Sequence, residues 1–220
     1  MACIAIDGPC GSGKSTVSRI LAEKLGFTFV DTGALYRTIA YYFKLHNVDY
    51  TSPSKVEKAL KDIEIELKVL DHKQKIYLNS IDVSNRIRSE EISTMASSVS
   101  AIPEVRTKLL SIQRELANQG NVIMDGRDIG TVIMPNADLK IFLTARPEVR
   151  AGRRLEQLGM EENKFDQVLK DLLKRDEQDS KREISPLKIA EDAVVFDNSK
   201  MTQEETLNKL LDLIKRRLGS

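Results

Sequence analysis

A chain of 220 residues can build one sizeable core, and with 41% hydrophobic and 30% charged residues it is neither a disordered nor a membrane-embedded sequence. Its 34 basic and 33 acidic residues nearly cancel, which excludes nucleic-acid binding driven by bulk charge. Cys3, Cys10, His46 and His72 form no cluster with metal-ligand or disulfide spacing. No apolar run has the length of a membrane span and no signal-peptide pattern precedes the first strand, so the expected location is the cytoplasm.

The stretch from Ile4 runs as a short apolar strand into Gly8-Pro9-Cys10-Gly11-Ser12-Gly13-Lys14-Ser15-Thr16, which fits G-x-x-x-x-G-K-[ST], the phosphate-cradling loop. Its glycines let successive N–H groups turn inward, and the positive end of the helix that follows points to the same spot. Lys14 is placed to reach the outer phosphates of a nucleoside triphosphate, and the Ser15 hydroxyl to join a magnesium shell. Cys3 reads as a small core residue. Cys10, inside the loop and near Lys14, is either a packing residue or a thiol biased toward thiolate.

Val17, Ile20, Leu21 and Leu25 recur at helical spacing, so Lys14 to Leu25 is expected as a helix stopped by Gly26. Phe27 to Val30 reads as a second buried strand, ending at Asp31-Thr32-Gly33-Ala34-Leu35-Tyr36-Arg37, which opens a helix reaching about Leu45. Alternating strands and helices imply a parallel sheet with ligands held at the strand C-terminal ends. Ser54-Lys55-Val56-Glu57 fits a capping box for a short helix. Between Ile63 and Val83 the period changes to two around a polar turn at Asp71-His72-Lys73, which predicts an antiparallel hairpin outside the main sheet. Periodicity alone leaves it open whether that hairpin is ornament or part of a site.

Helical spacing returns from Ile92, and Pro103 opens a helix ending near Gly120. Val122-Ile123-Met124-Asp125 is an apolar run closed by an acid, like the second acidic motif of phosphate-loop proteins, so Asp125 is expected on the strand beside the loop, holding magnesium or its waters. Leu139 to Leu143 and Ala193 to Phe196 complete five strands, before a last helix capped by Thr202 and Glu205. Arg146 to Arg182 is charge-dense, with ten basic and nine acidic residues, and for most of them solvated helices with i,i+4 pairs suffice. Arg175, Asp179 and Arg182 share one helical face there, two guanidinium groups around one carboxylate.

Several blocks taken together go further. Asp31-Thr32-Gly33-Ala34-Leu35-Tyr36-Arg37, Ser97 with Pro103-Glu104-Val105-Arg106, Gly126-Arg127-Asp128-Ile129-Gly130-Thr131, Arg150-Ala151-Gly152-Arg153-Arg154, and Arg175 through Arg182 with Pro186-Leu187 occur in order along nearly the whole chain. In this the sequence resembles bacterial-type cytidylate kinases. The resemblance implies an α/β P-loop kinase core, with a five-stranded parallel sheet flanked by helices, over residues 1–53, 84–145 and 183–220. It adds a small antiparallel β insertion for monophosphate binding at about 54–83 and a helical lid at about 146–182.

It further implies phosphoryl transfer from ATP with magnesium to CMP, and to dCMP, by a cytoplasmic monomer with no nucleic-acid or membrane partner. Lys14, Arg127, Asp128 and Arg175 would be catalytic. The loop from Gly8 to Thr16 together with Arg154 would hold ATP, with Ser15 and Asp125 on the metal. Thr32, Arg106, Asp128 and Arg182 would read cytosine, Ser97, Arg175 and Asp179 the sugar, and Arg37 and Arg127 the acceptor phosphate. Each arginine could instead be a surface ion pair. Thr32 stands where serine is frequent in the family, Cys10 where Ala or Ser is usual, and the lid connection from Gly159 to Lys164 looks short. The readings left beside this one are a kinase for UMP or another small acceptor, and an ATP-binding switch or assembly factor.

Overall fold

Strand β1 (Cys3–Asp7) is buried from Ile4 onward, as a strand covered on both faces must be. In the computed structural model, which describes residues 1–70 and 73–219, it is the middle strand of a parallel sheet. Helix α1 (Lys14–Leu25) follows the phosphate loop and ends at Gly26 in the left-handed region. Strand β2 (Thr28–Asp31) starts one residue later than the hydrophobic run predicts, and α2 (Thr32–Leu45) follows it without a break. After the inserted elements come α4 (Glu90–Val99), α5 (Pro103–Ala117), β6 (Val122–Gly126), β7 (Leu139–Thr144), β8 (Val194–Asp197) and α8 (Gln203–Leu218). The sheet order is β2-β6-β1-β7-β8, all parallel.

Even in buried strands the pleat sorts side chains. Ile4, Ile6, Ile123, Ile141 and Leu143 face α1 and α8, where Leu21, Leu210 and Ile214 meet them. Ala5, Val30, Val122 and Met124 face the other way and pack with Leu116, Ile129 and Ile133. Thr202 and Glu205 form the reciprocal capping box expected at the start of α8.

Between the two halves of the sheet lies α3 (Pro53–Lys61), then a three-stranded antiparallel sheet of β3 (Ile65–Leu70), β4 (Lys73–Leu78) and β5 (Ile81–Asp82). The capping box expected at Ser54–Glu57 is not formed. Pro53, whose ring presets helical φ, occupies the first helical turn, so Ser54 is already inside the helix and its hydroxyl pairs with that of Ser52 at 3.3 Å. The hairpin is present, with Ile65 opposite Leu78 and Leu67 opposite Ile76, and the short β5 adds a third strand the alternation does not announce. Of its expected turn, Asp71 and His72 lie outside the described residues, and Lys73 begins β4. Ile76 and Leu78 are buried with Val56, Leu60 and the α2 residues Leu35 and Ile39, so this insertion packs on the core.

The charge-dense segment folds as α6 (Pro147–Leu158) and α7 (Phe165–Lys181) around a small core of Ala151, Leu155 and Val168. Arg182 does not continue the helical face of Arg175 and Asp179. It is the C-cap with extended backbone (φ −60, ψ 141), because the chain leaves the helix there.

Candidate active site

The loop after β1 and the C-terminal ends of β2 and β6 line one cleft of about 360 Å³. Gly8 turns the chain out of β1 at φ +150, and a Cβ there would stand 2.0 Å from the Leu143 carbonyl oxygen on β7. That approach admits no side chain. Gly13, at φ 89, caps α1 with no side-chain bond, so the helix N-terminus stays open for an anion.

Lys14 is buried and its ammonium donates to the Pro9 carbonyl at 2.7 Å, folding back over the loop. Burial, reinforced by Arg127, pushes its pKa down to about 7. Ser15 Oγ donates to Asp125 Oδ2 at 2.5 Å, while Asp125 Oδ1 is buried with no partner. Burial and the neighbouring Asp31 push the Asp125 carboxyl up to about 7. Burial also acts to raise the Cys10 thiol, but Arg175, Arg127, Lys14 and Arg154 around it hold it below its ordinary value.

Across the cleft the arginines are held by carboxylates. Asp31 caps α2 by accepting the Ala34 N–H at 3.0 Å through Oδ1, and its Oδ2 accepts from Arg37 at 2.7 Å. Arg106, with its guanidinium 5.6 Å from the Tyr36 ring centroid, pairs with Asp128, whose other oxygen lies 3.4 Å from Arg182. Burial raises the Asp128 carboxyl although Arg106 and Arg182 pull it down. Arg127 donates from Nε to Asp179 Oδ2 at 2.8 Å, and this pairing, not Arg175 or Arg182 as the helical spacing predicts, is the direct one for Asp179. Burial opposes the Asp179 charge, but Arg127 keeps its carboxyl below the ordinary value. Thr32 donates its hydroxyl to the Asp125 carbonyl at 2.8 Å, and Arg154 on α6 pairs with Glu90 on α4. The Ser97 hydroxyl and Arg175 Nε are buried without partners.

Cys10, Gly11, Gly13, Lys14, Ser15 and Thr16 line one side of the cleft, and Thr32, Arg37, Ser97, Arg127, Asp128 and Asp179 the other. Asp125, Arg154, Arg175 and Arg182 line it too, while Gly8, Pro9, Ser12 and Arg106 stand behind its wall. A glycine-rich loop with an open helix N-terminus thus faces a wall of arginines and carboxylates across one cleft. A family model described as cytidylate kinase matches residues 4–216, the whole of this arrangement.

The chain belongs to the cytidylate kinase family. The cytidylate kinase of Carboxydothermus hydrogenoformans is 48% identical, over 97% of this chain and 97% of its own length. That of Caldicellulosiruptor bescii is 47% identical, over 96% of this chain and 94% of its own. Among solved structures, an uncharacterised protein from Eubacterium ventriosum superposes with a TM-score of 0.56 at 12% identity, covering 99% of this chain and 100% of that one, a likeness of fold alone.

Four further residues of this cytidylate kinase family chain hold the cleft from behind, and the sequence assigns a role to none of them, although Arg150 heads one of the ordered blocks. Arg150 donates to the Cys10 carbonyl at 2.9 Å and to Asp176 at 2.6 Å, tying the phosphate loop to α7. Asn198, after β8, donates to the Ser12 carbonyl at 3.1 Å and accepts from Arg153 at 2.9 Å. Gln74 on β4 accepts the Asp31 N–H at 2.8 Å, joining the inserted sheet to the residue that holds Arg37. Asp7 accepts two backbone N–H groups beyond β6. All four act over long sequence separations, where only contacts made in the folded chain mark them.

Proposed function

We infer that the chain transfers the γ-phosphoryl group of ATP to the phosphate of CMP, giving CDP and ADP, and that dCMP is also an acceptor. The observation that carries this is the pairing of two anion sites in one cleft, the phosphate loop against the set Arg37, Arg127, Asp128, Asp179 and Arg182. A protein that only switched on ATP binding would have no use for the second set.

In this reading the loop from Gly8 to Thr16 cradles ATP through backbone N–H groups, Lys14 reaches the outer phosphates and Arg154 approaches from α6. Ser15 and Asp125 suit magnesium, since the buried Asp125 Oδ1 lacks a partner beside the Ser15 hydroxyl, and oxygen donors of this kind are what the ion takes. When bound, the ion neutralises charge on the phosphates. Asp128 accepts from the exocyclic amine of cytosine, while Arg106 and Arg182 serve its ring acceptors. Thr32, whose proton goes to the Asp125 carbonyl, offers the base its hydroxyl lone pairs. Ser97, Arg175 and Asp179 take the sugar, and Arg37 and Arg127 exchange a carboxylate for the acceptor phosphate.

The acceptor oxygen is already anionic near neutral pH, so no general base is required. Lys14, Arg127 and Arg175 work by position and charge, holding two anions in line, while Asp128 works by position, fixing the base so that the acceptor phosphate is aligned and water excluded. We assign residues 1–53, 84–145 and 183–220 to the core, 54–83 to the monophosphate-binding insertion and 146–182 to a lid carrying Arg154, Arg175 and Asp179, closing over both substrates. A cytoplasmic monomer is the working state this reading takes. Incubation with ATP labelled in its γ-phosphate and CMP tests it. Label in CDP is the expected result, and label in inorganic phosphate alone would refute transfer.

A further inference from the structure

Asp7 is the last residue of β1 and leads into the phosphate loop, yet its buried side chain serves the opposite half of the cleft. Its Oδ1 accepts the N–H of Ile129 and its Oδ2 the N–H of Gly130, both at 2.8 Å. These two amides open the π-helical turn Ile129–Ile133, which begins directly after Asp128. A Cβ on Gly130 would lie 3.4 Å from Asp7 Oδ2, so the carboxylate meets bare backbone. The Asp128 carbonyl accepts in turn from Val132 at 2.9 Å and Ile133 at 3.2 Å.

The consequence for Asp128 is geometric. Its backbone sits at φ −141, ψ 27, neither strand nor helix, where nothing in regular structure would hold it. β6 fixes its N-terminal side and the two bonds to Asp7 fix the peptide planes on its C-terminal side. Arg106 and Arg182 then hold only the carboxylate head. Among the described residues, both side-chain hydrogen bonds of Asp7 go to this turn and none to the loop it precedes.

We propose that Asp7 is a positioning residue for base discrimination: by clamping the Ile129 and Gly130 amides it aims the Asp128 carboxylate at the cytosine amine. This rests on the reading of Asp128 given above. Asp7→Asn keeps one acceptor but turns an amide N–H donor toward the other backbone N–H, so the turn is released on one side.

The test measures kcat/KM for CMP and for UMP, which carries a carbonyl where cytosine has the amine, in the wild type, Asp7→Asn and Asp128→Asn. Asp7→Asn should lower the CMP-to-UMP ratio about tenfold with the KM for ATP nearly unchanged. An equal loss on both acceptors would make Asp7 a residue of the fold alone and overturn the proposal. If Asp128→Asn collapses the ratio and Asp7→Asn does not, the proposal fails while the role of Asp128 stands. If Asp128→Asn leaves the ratio intact, that role fails and the proposal with it. Should Asp7→Asn not fold, Asp7→Glu keeps the charge and both acceptors on a longer stem, and it should shift the ratio in the same direction. An unchanged ratio in a folded Glu variant would equally overturn the proposal.

Discussion

Arg127, directly after β6, donates from Nε to Asp179 Oδ2 on α7 at 2.8 Å, so the parallel sheet and α7 meet through a part-buried ion pair inside the cleft. Burial works against the Arg127 charge, and Asp179 more than offsets it, holding the guanidinium fully charged. A permanent charge beside the phosphate loop is what a migrating phosphoryl group requires. Arg127→Ala should therefore lower CMP turnover by about a thousandfold or more. ATP binding, followed by titration calorimetry, should change little. Near-normal turnover in that variant would remove Arg127 from the mechanism.

The other partner of this pair answers a different question. In our reading Asp179 accepts from ribose hydroxyls, so Asp179→Ala should weaken CMP by the worth of a charge-assisted hydrogen bond, about 1.5 to 3 kcal/mol. The 2′-deoxy acceptor should lose less. Equal losses for CMP and dCMP would show that Asp179 does not read the 2′-hydroxyl.

Cys10 gives a chemical handle on the donor side. Its thiol is free, lines the cleft and is held below its ordinary pKa by Arg175, Arg127, Lys14 and Arg154. Alkylation should label Cys10 ahead of Cys3, whose thiol burial pushes up, and should block nucleotide binding. Prior addition of ATP should slow labelling, as followed by mass spectrometry. Labelling at the same rate with and without ATP would place Cys10 outside the donor site.

Lys14 carries a stability cost whose pH dependence has a definite sign. Its pKa falls from an ordinary 10.5 to about 7 in the folded protein, chiefly through burial. Between these values the unfolded chain binds more protons at this site than the folded one, so stability from Lys14 rises with pH. Lys14→Met should abolish turnover yet melt above the wild type at neutral pH in the absence of nucleotide, and the gap should narrow as pH rises from about 7 toward 10.5. A gap that stays constant over that range would contradict the burial account.

Local signals carried much of this molecule. The glycine pattern and Gly-Lys-Ser place the phosphate loop, the apolar run before Asp125 places its strand beside it, and period-two alternation between Ile63 and Val83 places the inserted hairpin. The ordered blocks carried the family. What stayed hidden depends on chain segments distant in sequence. The roles of Arg150 and Asn198 are marked only by the carbonyls of Cys10 and Ser12 that they hold. Helical spacing grouped Asp179 with Arg175 and Arg182, but α7 stops at Lys181 and β6 brings Arg127 into the position instead. The start of α3 is a local exception: Pro53, one residue ahead of the Ser-x-x-Glu pattern, decides it. The π-helical turn after Asp128 has no local signature, since its geometry is imposed by Asp7.

The central claim is that the two halves of the cleft form one two-substrate site, and ADP release measured with CMP, dCMP, UMP and AMP in turn tests it most directly. The account predicts release that depends on acceptor, with CMP and dCMP well above AMP. Release independent of any acceptor, or equal with all four, would contradict it.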